Sequence, residues 1–385
     1  MIYLDNAATT FPKPINVQRA VSEAIRKYGA NPGRGGHELS IKTSAQVYEC
    51  RKKASDFFGA SSPDKIVFTQ NCTMSLNYVI KGILKPGDHV IVSDMEHNAV
   101  MRPVFSLSER GIISYSVAET FPGDFDKTLS SFKRCIRPET KAIICMHASN
   151  AFGTVMPISA IGKMAHENGL LFIVDAAQSA GILPIKVDEM NIDYLCLPCH
   201  KALYGPMGTG MIVFGKDAPL PNTIIEGGTG SDSINYNQPL FLPDRFESGT
   251  INVPGILGVR AGIDFINRKG IDRIHRYEMS IIKMLYREMK KISGIIFYTD
   301  EPEERFAVPL LTFNFKGLSS EAGAEKLNQF GICTRAGLHC APAAHKKFGT
   351  LNIGTVRVCP SVFTSYNDAN FLLNCTEKIA KNKQI

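Results

Sequence analysis

Two residues near the middle of the chain, an aspartate and a lysine, have side chains that could do chemistry together. Asp175 ends the apolar run LLFIVD, and Lys201 follows the next apolar run, YLCLPC, in the stretch HKALYGPMGTG. A buried carboxylate can hold a pyridine nitrogen in its protonated form, and a lysine within reach can form a Schiff base with an aldehyde. The pair therefore predicts a site for pyridoxal 5'-phosphate (PLP).

Three further polar residues fit that interpretation, although each has a simpler one. Thr73 begins a predicted helix and His200 precedes Lys201, so both could donate to a phosphate, with free N–H groups at the helix start adding to them. Thr73 could equally be a plain N-cap. His97, after VIVSDME, is either a satisfied core histidine or a flat ring that stacks on a pyridine. Their joint placement favours the cofactor site.

The same stretch also contains a C-x-x-C-H pattern, formed by Cys196, Cys199 and His200. Covalent haem attachment would need an export route and two exposed thiols, whereas Cys196 falls within an apolar run and the N-terminus does not resemble a signal peptide. A redox C-x-x-C pair normally opens a helix, which this one does not. We therefore expect both cysteines to fill core space, and no metal site is predicted.

Composition indicates an ordinary globular protein. The chain has 385 residues, of which 44% are hydrophobic and 21% charged, and this length favours two domains. The net charge of +7 is spread along predicted helices without interleaved aromatic residues, so we expect no nucleic-acid partner. No apolar run approaches the roughly 18 residues of a membrane span. The expected location is the cytoplasm.

Between residues 65 and 215, short apolar runs alternate with amphipathic stretches. The runs are KIVFTQ, HVIVSD, KAIICMH, LLFIVD, YLCLPC and GMIVF. Continuous runs of this kind are typical of buried strands in a mostly parallel sheet, whose ligands bind beyond the carboxyl ends of the strands. We predict an α/β fold in which residues 15–264 form a large cofactor-binding domain. Residues 1–14 and 265–385 would form a smaller α+β domain.

The sequence resembles the class V aminotransferase superfamily, PLP enzymes of fold type I, and within it the cysteine desulfurases. The motifs that carry the likeness run from residue 3 to the end of the chain: YLDNAATTFPKP, DMEHNAV, HASNAFGT, VDAAQSAG, HKALYGPMGTG, RFESGTIN and TRAGLHCAPAAH. The form R-x-G-x-H-C-A, with Cys340, is that of the type II, selenocysteine-lyase-like branch. The fold implied is a mostly parallel sheet of the seven-stranded type between helices, plus a small domain that carries the nucleophilic cysteine.

The resemblance implies a role for each matching cofactor-site residue. Lys201 would bind the cofactor covalently, Asp175 would hold the pyridine nitrogen, and Gln178 the ring hydroxyl. His97 would stack on the ring and move protons. Three residues would hold the phosphate, namely Thr73, His200 and, from the second subunit of a homodimer, Thr250.

The resemblance also implies a reaction, in which L-cysteine is converted to L-alanine and its sulfur passes to Cys340 as a persulfide. Asn150, Arg335 and Arg357 would bind the substrate carboxylate, although a structural ion pair is an alternative for Arg357. We expect His339 and Arg335 to make the surroundings of Cys340 electropositive and so to favour its thiolate. A sulfur-acceptor protein is an expected partner.

Other functions compatible with the same motifs are a selenocysteine lyase, which would act on L-selenocysteine, and a transaminase, epimerase or β-eliminating enzyme. A cofactor-binding regulator without turnover is a further alternative.

Two departures from the family pattern lie in the predicted site. Pro198-Cys199 stands where relatives carry a pair ending in glycine, and Asn71-Cys72-Thr73 replaces Gly-Thr-Thr. The segment from Gly227 to Arg245 is also shorter than in typical type II enzymes, which predicts a different lid over the site.

Overall fold

The structure is a computed structural model that describes residues 1–33 and 35–381. Its strands are β1 (Ile2–Tyr3), β2 (Ile66–Thr69), β3 (His89–Ser93), β4 (Ser114–Ala118), β5 (Thr140–Met146), β6 (Leu171–Asp175), β7 (Tyr194–Pro198), β8 (Gly210–Phe214), β9 (Ile295–Phe297), β10 (Leu311–Phe315), β11 (Ile332–Cys333) and β12 (Val356–Val358). Its α-helices are α1 (Ile15–Lys27), α2 (Glu38–Phe58), α3 (Cys72–Ile83), α4 (Asn98–Glu109), α5 (Phe125–Arg134), α6 (Ile158–Glu167), α7 (Val253–Lys269), α8 (Ile271–Met289), α9 (Ser320–Gln329), α10 (Pro342–Lys347) and α11 (Tyr366–Lys381).

The main sheet has seven strands in the order β2-β8-β7-β6-β5-β3-β4, and β8 runs antiparallel to both of its neighbours. The α/β fold with a mostly parallel sheet is therefore confirmed. Each of the six apolar runs forms one of its strands. The seventh, β4, was not predicted, because its sequence SYSVA is partly exposed at the sheet edge and lacks a continuous apolar run.

Helices cover both faces of this sheet, which explains why its inner strands are almost entirely apolar. Alternate residues of one strand enter different cores, as Val174 packs on one face with helices α1, α2, α6 and α7 while Ile173 packs on the other with α3 and α4. This alternation follows from the two-residue repeat of a strand. Only the strand ends remain free to present polar groups.

A second group of elements follows α7. Strand β10 lies between β12 and β9 in an antiparallel sheet, and β1 pairs in parallel with β11. Leu4 is fully buried in the core that these strands share with α8, α9 and α11. The predicted division into two domains stays a prediction, and residues 382–385 of its small domain lie outside the described residues.

Within residues 1–33 and 35–381, no helix is both long and apolar enough to cross a membrane. The expected cytoplasmic location stays a prediction.

Candidate active site

A cavity of about 540 Å³ lies at the carboxyl ends of β5, β6 and β7, where Met146, Asp175 and Pro198 line it. Parallel strands end at the same edge of a sheet, so the polar residues that follow them converge there. The other lining residues come from the starts of α3 and α4 and from the segments after the three strands: Asn71, Cys72, Thr73, His97, Ala99, Ala148, Asn150, Ala177, Gln178, His200 and Lys201. Seven predicted site residues thus share one cavity.

Lys201 and Asp175 form the charged centre of the cavity. Burial lowers the pKa of Lys201, and Arg357 and Arg335 lower it further, whereas Asp175 opposes this shift. The lowered pKa increases the fraction of neutral amine, the form that attacks a carbonyl carbon. Lys201 is thereby prepared for Schiff-base chemistry.

The Asp175 carboxylate is held by donors from two elements. Its Oδ1 accepts a hydrogen bond from the Ala177 N–H at 2.9 Å and from the Cys72 Sγ at 3.5 Å. Burial raises the pKa of the Cys72 thiol well above its usual range, and the nearby Asp175 charge adds to this. Cys72 therefore remains a neutral donor towards Asp175.

The start of α3 supplies main-chain donors to the cavity. The N-cap is Asn71, whose Oδ1 accepts from the Met74 N–H at 2.9 Å, so the alternative interpretation of Thr73 as the N-cap is wrong. Thr73 lies in the first turn, is exposed, and lines the cavity. A first turn with free N–H groups and a hydroxyl is a common anion site.

His97 is the N-cap of α4, a role that the sequence did not predict. Its Nδ1 accepts from the Ala99 N–H at 3.0 Å, which leaves the proton of the neutral ring on Nε2. Burial lowers the pKa of His97, so the neutral ring is favoured. The ring also lines the cavity, and its position therefore serves both the helix and the site.

Burial, aided by Lys201 and Lys13, lowers the pKa of His200 to about 4, so this ring would donate to a phosphate as a neutral group. Gln178 donates from Nε2 to the Ala7 carbonyl at 3.0 Å, which ties the cavity wall to the N-terminal segment.

These residues fit PLP. The cavity combines a buried amine, a carboxylate whose donors come from the protein wall, and a helix start with free N–H groups. Each matches one part of the cofactor, respectively its aldehyde, its pyridine nitrogen and its phosphate.

Cys340 does not line the cavity and lies on a turn with unusual backbone angles. His339 and Cys340 both adopt left-handed angles, with φ of 49° and 57°. Each such non-glycine residue costs about 1–3 kcal/mol and persists only where its surroundings hold it. The Cys340 side chain is exposed, and its carbonyl accepts from the Asn98 N–H at 2.8 Å. The turn is thus joined to the residue that follows His97.

The expectation that His339 makes this turn electropositive is wrong. Its ring is buried, its Nε2 bonds to the Thr355 carbonyl at 3.1 Å, and burial lowers its pKa to about 2. His339 is therefore neutral, because a buried cation without a counter-charge is unfavourable. Of the two expected cations, only the Arg335 guanidinium carries charge near the site.

Arg357 lies on β12 and is 1% exposed. Its guanidinium donates from Nη1 to the Asn150 carbonyl and from Nη2 to Asp5 Oδ1, both at 2.8 Å. The structural ion pair considered as an alternative is therefore present. Its Nε has no partner among the described residues. An unsatisfied buried N–H beside the cavity is a feature that a substrate carboxylate would satisfy.

Arg335 approaches the same point from the neighbouring chain segment. Its backbone pairs with that of Arg357 in an isolated antiparallel bridge, with the Arg357 N–H donating to the Arg335 carbonyl at 2.8 Å. Neither arginine lines the cavity, but the charges of both lower the pKa of Lys201, so both lie near this residue. Two nearby guanidinium groups are suited to an anionic substrate.

Thr250 is exposed and does not line this cavity within the chain. Its contribution from a second subunit stays a prediction.

Three contributors were missed from the sequence. Asp5 was part of a quoted motif but was given no role, Cys72 was noted only as a departure from the family, and the Asn98 N–H belongs to the main chain.

Comparisons of this chain with known proteins agree on one family. The family model for class-V aminotransferases matches residues 2–372. The chain belongs to this family. A probable cysteine desulfurase of Methanothermobacter thermautotrophicus is 35% identical over 98% of this chain and 94% of its own length. One of Pyrococcus abyssi is 32% identical over 99% and 95%.

A solved structure gives the same result for the fold. The apo cysteine desulfurase of Thermococcus onnurineus NA1 superposes with a TM-score of 0.92 at 32% identity, covering 99% of this chain and 95% of that one. The fold implied by the motif resemblance is therefore confirmed.

Proposed function

We propose that the protein is a PLP-dependent cysteine desulfurase that converts L-cysteine to L-alanine and receives the sulfur on Cys340. The observation that carries the proposal is the 2.8 Å hydrogen bond from the Asn98 N–H to the Cys340 carbonyl. It joins the main chain of Cys340, whose thiol is exposed, to Asn98. Asn98 follows His97, and His97 lines the cavity that contains Lys201. This contact supports a single site that contains a nucleophilic sulfur and a buried amine.

The cofactor would be held by the residues that resemblance assigns to it. Lys201 would bind it covalently, Asp175 would face its ring nitrogen, and Thr73 and His200 would donate to its phosphate. When bound, PLP supplies an electron sink for the pair of electrons released at the substrate Cα.

The protein's own residues then bind the substrate and move protons. Arg357 and Arg335 attract the carboxylate, and Arg357 Nε, which has no partner among the described residues, is a donor for it. Lys201, with its lowered pKa, is suited to take the proton from Cα as a neutral amine. The neutral His97 ring, with its proton on Nε2, is a second group suited to proton transfer.

Sulfur transfer needs no external oxidant. The Cys340 Sγ, as thiolate, attacks the substrate sulfur, so that a new S–S bond forms while the bond between that sulfur and Cβ breaks. The electron pair of the broken bond remains with the carbon fragment, and Cβ takes up a proton to give L-alanine. Cys340 is left as a persulfide, so one thiol and one L-cysteine yield one persulfide and one L-alanine.

The proposal includes a homodimer and a sulfur acceptor. Thr250 is exposed and does not line the cavity of its own chain, which suits a contact with a second subunit. The Cys340 turn is held by hydrogen bonds, so a persulfide there would be collected by a protein that approaches it rather than carried away by a long loop.

Among the alternatives, the names of the relatives favour L-cysteine over L-selenocysteine as the substrate. A transaminase, epimerase or β-eliminating enzyme would not need an exposed cysteine held next to the cavity. The same applies to a cofactor-binding regulator without turnover.

The test is a visible absorption spectrum of the purified protein followed by product analysis with L-cysteine and a thiol reductant. We expect a PLP band, stoichiometric alanine and sulfide, and loss of L-cysteine turnover in Cys340→Ser with the band retained. Pyruvate or a keto acid instead of alanine would favour another reaction. Undiminished sulfide release by Cys340→Ser, or faster turnover of L-selenocysteine that does not depend on Cys340, would contradict the proposal.

A further inference from the structure

The Cys340 turn is tied to the rest of the site by two hydrogen bonds at adjacent carbonyls. The His339 carbonyl accepts from Asn150 Nδ2 at 2.6 Å, and the Cys340 carbonyl accepts from the Asn98 N–H at 2.8 Å. Both residues of the turn have positive φ, so the turn needs external contacts to keep its shape. These two bonds are such contacts, and they come from different walls of the cavity.

The Asn150 side chain has hydrogen-bonding capacity left after this contact. A primary amide carries two N–H donors on one nitrogen, and the His339 carbonyl uses one of them. The Asn150 Oδ1 is buried and has no partner among the described residues. The Asn150 main-chain carbonyl also accepts from Arg357 Nη1, which places this residue beside the guanidinium.

We infer that Asn150 is a positioning residue that links the substrate-carboxylate pocket to the nucleophile turn. One N–H of its amide holds the His339 carbonyl while the other remains available for the carboxylate that Arg357 attracts. Binding of substrate therefore tightens the turn that carries Cys340. The Asn98 N–H is a second tie that does not depend on substrate. The inference rests on the proposed function only for the identity of the carboxylate ligand.

Each tie can be removed separately. Asn150→Ala deletes the amide and keeps the main-chain contact to Arg357. Asn98→Pro deletes the N–H together with the side chain, and a proline is tolerated there because Asn98 is the first residue of α4. The preceding His97 has φ of −71° and ψ of 153°, as a residue before proline requires. Asn98→Ala is the matched control, since it removes the side chain and retains the N–H.

Hydrogen exchange of the peptide covering residues 336–344, measured by mass spectrometry on the PLP-loaded protein, reports opening of this turn. Without ligand, we expect exchange to be roughly 2- to 10-fold faster in Asn150→Ala and in Asn98→Pro than in the wild type, the effect of one lost hydrogen bond. Asn98→Ala should match the wild type. L-Alanine, the product with the same carboxylate, should slow exchange in the wild type and in Asn98→Pro but not in Asn150→Ala.

Other results would overturn the inference. Faster exchange of the wild type with L-alanine would mean that the carboxylate competes with His339 for the amide. If L-alanine slowed exchange in Asn150→Ala, or if that variant exchanged at the wild-type rate without ligand, Asn150 would not link the carboxylate pocket to the turn. If Asn98→Pro and Asn98→Ala exchanged at the same rate, the Asn98 N–H would not hold the turn. The ligand-free comparisons remain decisive even if the protein forms no alanine from L-cysteine, so failure of the proposed function is distinguishable.

Discussion

Asp5 and Arg357 form an ion pair at 2.8 Å although 352 residues separate them in the chain. The Asp5 side chain is 20% exposed, whereas that of Arg357 is 1% exposed. The pair therefore neutralises a buried guanidinium that has no other ion-pair partner within residues 1–33 and 35–381. It also fixes the orientation of the arginine that we propose for substrate binding.

Asp5→Ala should lower the free energy of unfolding by roughly 3 kcal/mol, because it leaves the Arg357 charge buried and unpaired. Urea unfolding of the wild type and variant measures this difference. Glu23→Ala is the control, since it breaks the exposed Glu23–Lys27 pair on α1 and should change stability little. If both variants lost the same free energy of unfolding, the Asp5–Arg357 pair would stabilise the fold no more than an exposed ion pair does.

Thr250 offers a test of the proposed homodimer. Thr250→Asp places a negative charge where we propose a phosphate, and Lys201→Ala removes the amine that binds the cofactor. Each variant alone should be inactive. If Thr250 serves the partner's site, refolding an equal mixture restores one of the two sites in each mixed dimer, or about a quarter of wild-type activity in total.

Activity in that mixture would be measured as alanine formed from L-cysteine, against the two variants refolded separately. If Thr250 served its own subunit's site, no mixed dimer would contain an intact site. An inactive mixture of folded dimers would therefore contradict the contribution from the second subunit.

Cys199 is a fully buried thiol, and burial raises its pKa above the usual range. Such a thiol is a poor nucleophile. Cys199→Ala should therefore leave alanine formation unchanged and lower the free energy of unfolding by about 1 kcal/mol, through the lost packing of one sulfur atom. Activity assays and urea unfolding check the two parts. Loss of sulfur transfer with the PLP band intact would indicate a redox role for this cysteine.

The strands and the cavity were predictable because their signals are local. Continuous apolar runs mark strands buried on both faces, and the residues after Asp175 and Pro198 had to meet at one sheet edge. The partly exposed β4 gives no such signal.

The remaining features depend on contacts between distant segments. The charge state of His339 is decided by burial against Thr355, and the role of Asn98 by a main-chain bond to Cys340. Neither leaves a pattern in neighbouring residues. The same holds for the Asp5–Arg357 pair, because no spacing rule connects two residues that are 352 positions apart.

Glu278, on α8, is a buried carboxyl whose protonation should make stability depend on pH. It is 2% exposed, and burial raises its pKa from 4.5 to about 8, with an opposing hydrogen bond from the Val362 N–H. The unfolded chain releases this proton near pH 4.5 and the folded protein only near pH 8. The stability that Glu278 contributes below pH 4.5 is therefore lost as the pH rises through this window.

Glu278→Gln removes the titrating group and keeps the size of the side chain. The free energy of unfolding of this variant, relative to the wild type, should therefore increase between pH 5 and pH 8 by roughly 3 kcal/mol. Urea unfolding at several pH values measures the trend. Glu325→Gln on α9 is the matched control, because Glu325 is exposed and its substitution should shift stability by the same small amount at every pH. A difference between Glu278→Gln and the wild type that stays constant from pH 5 to pH 8 would show that Glu278 is already ionised in the folded protein.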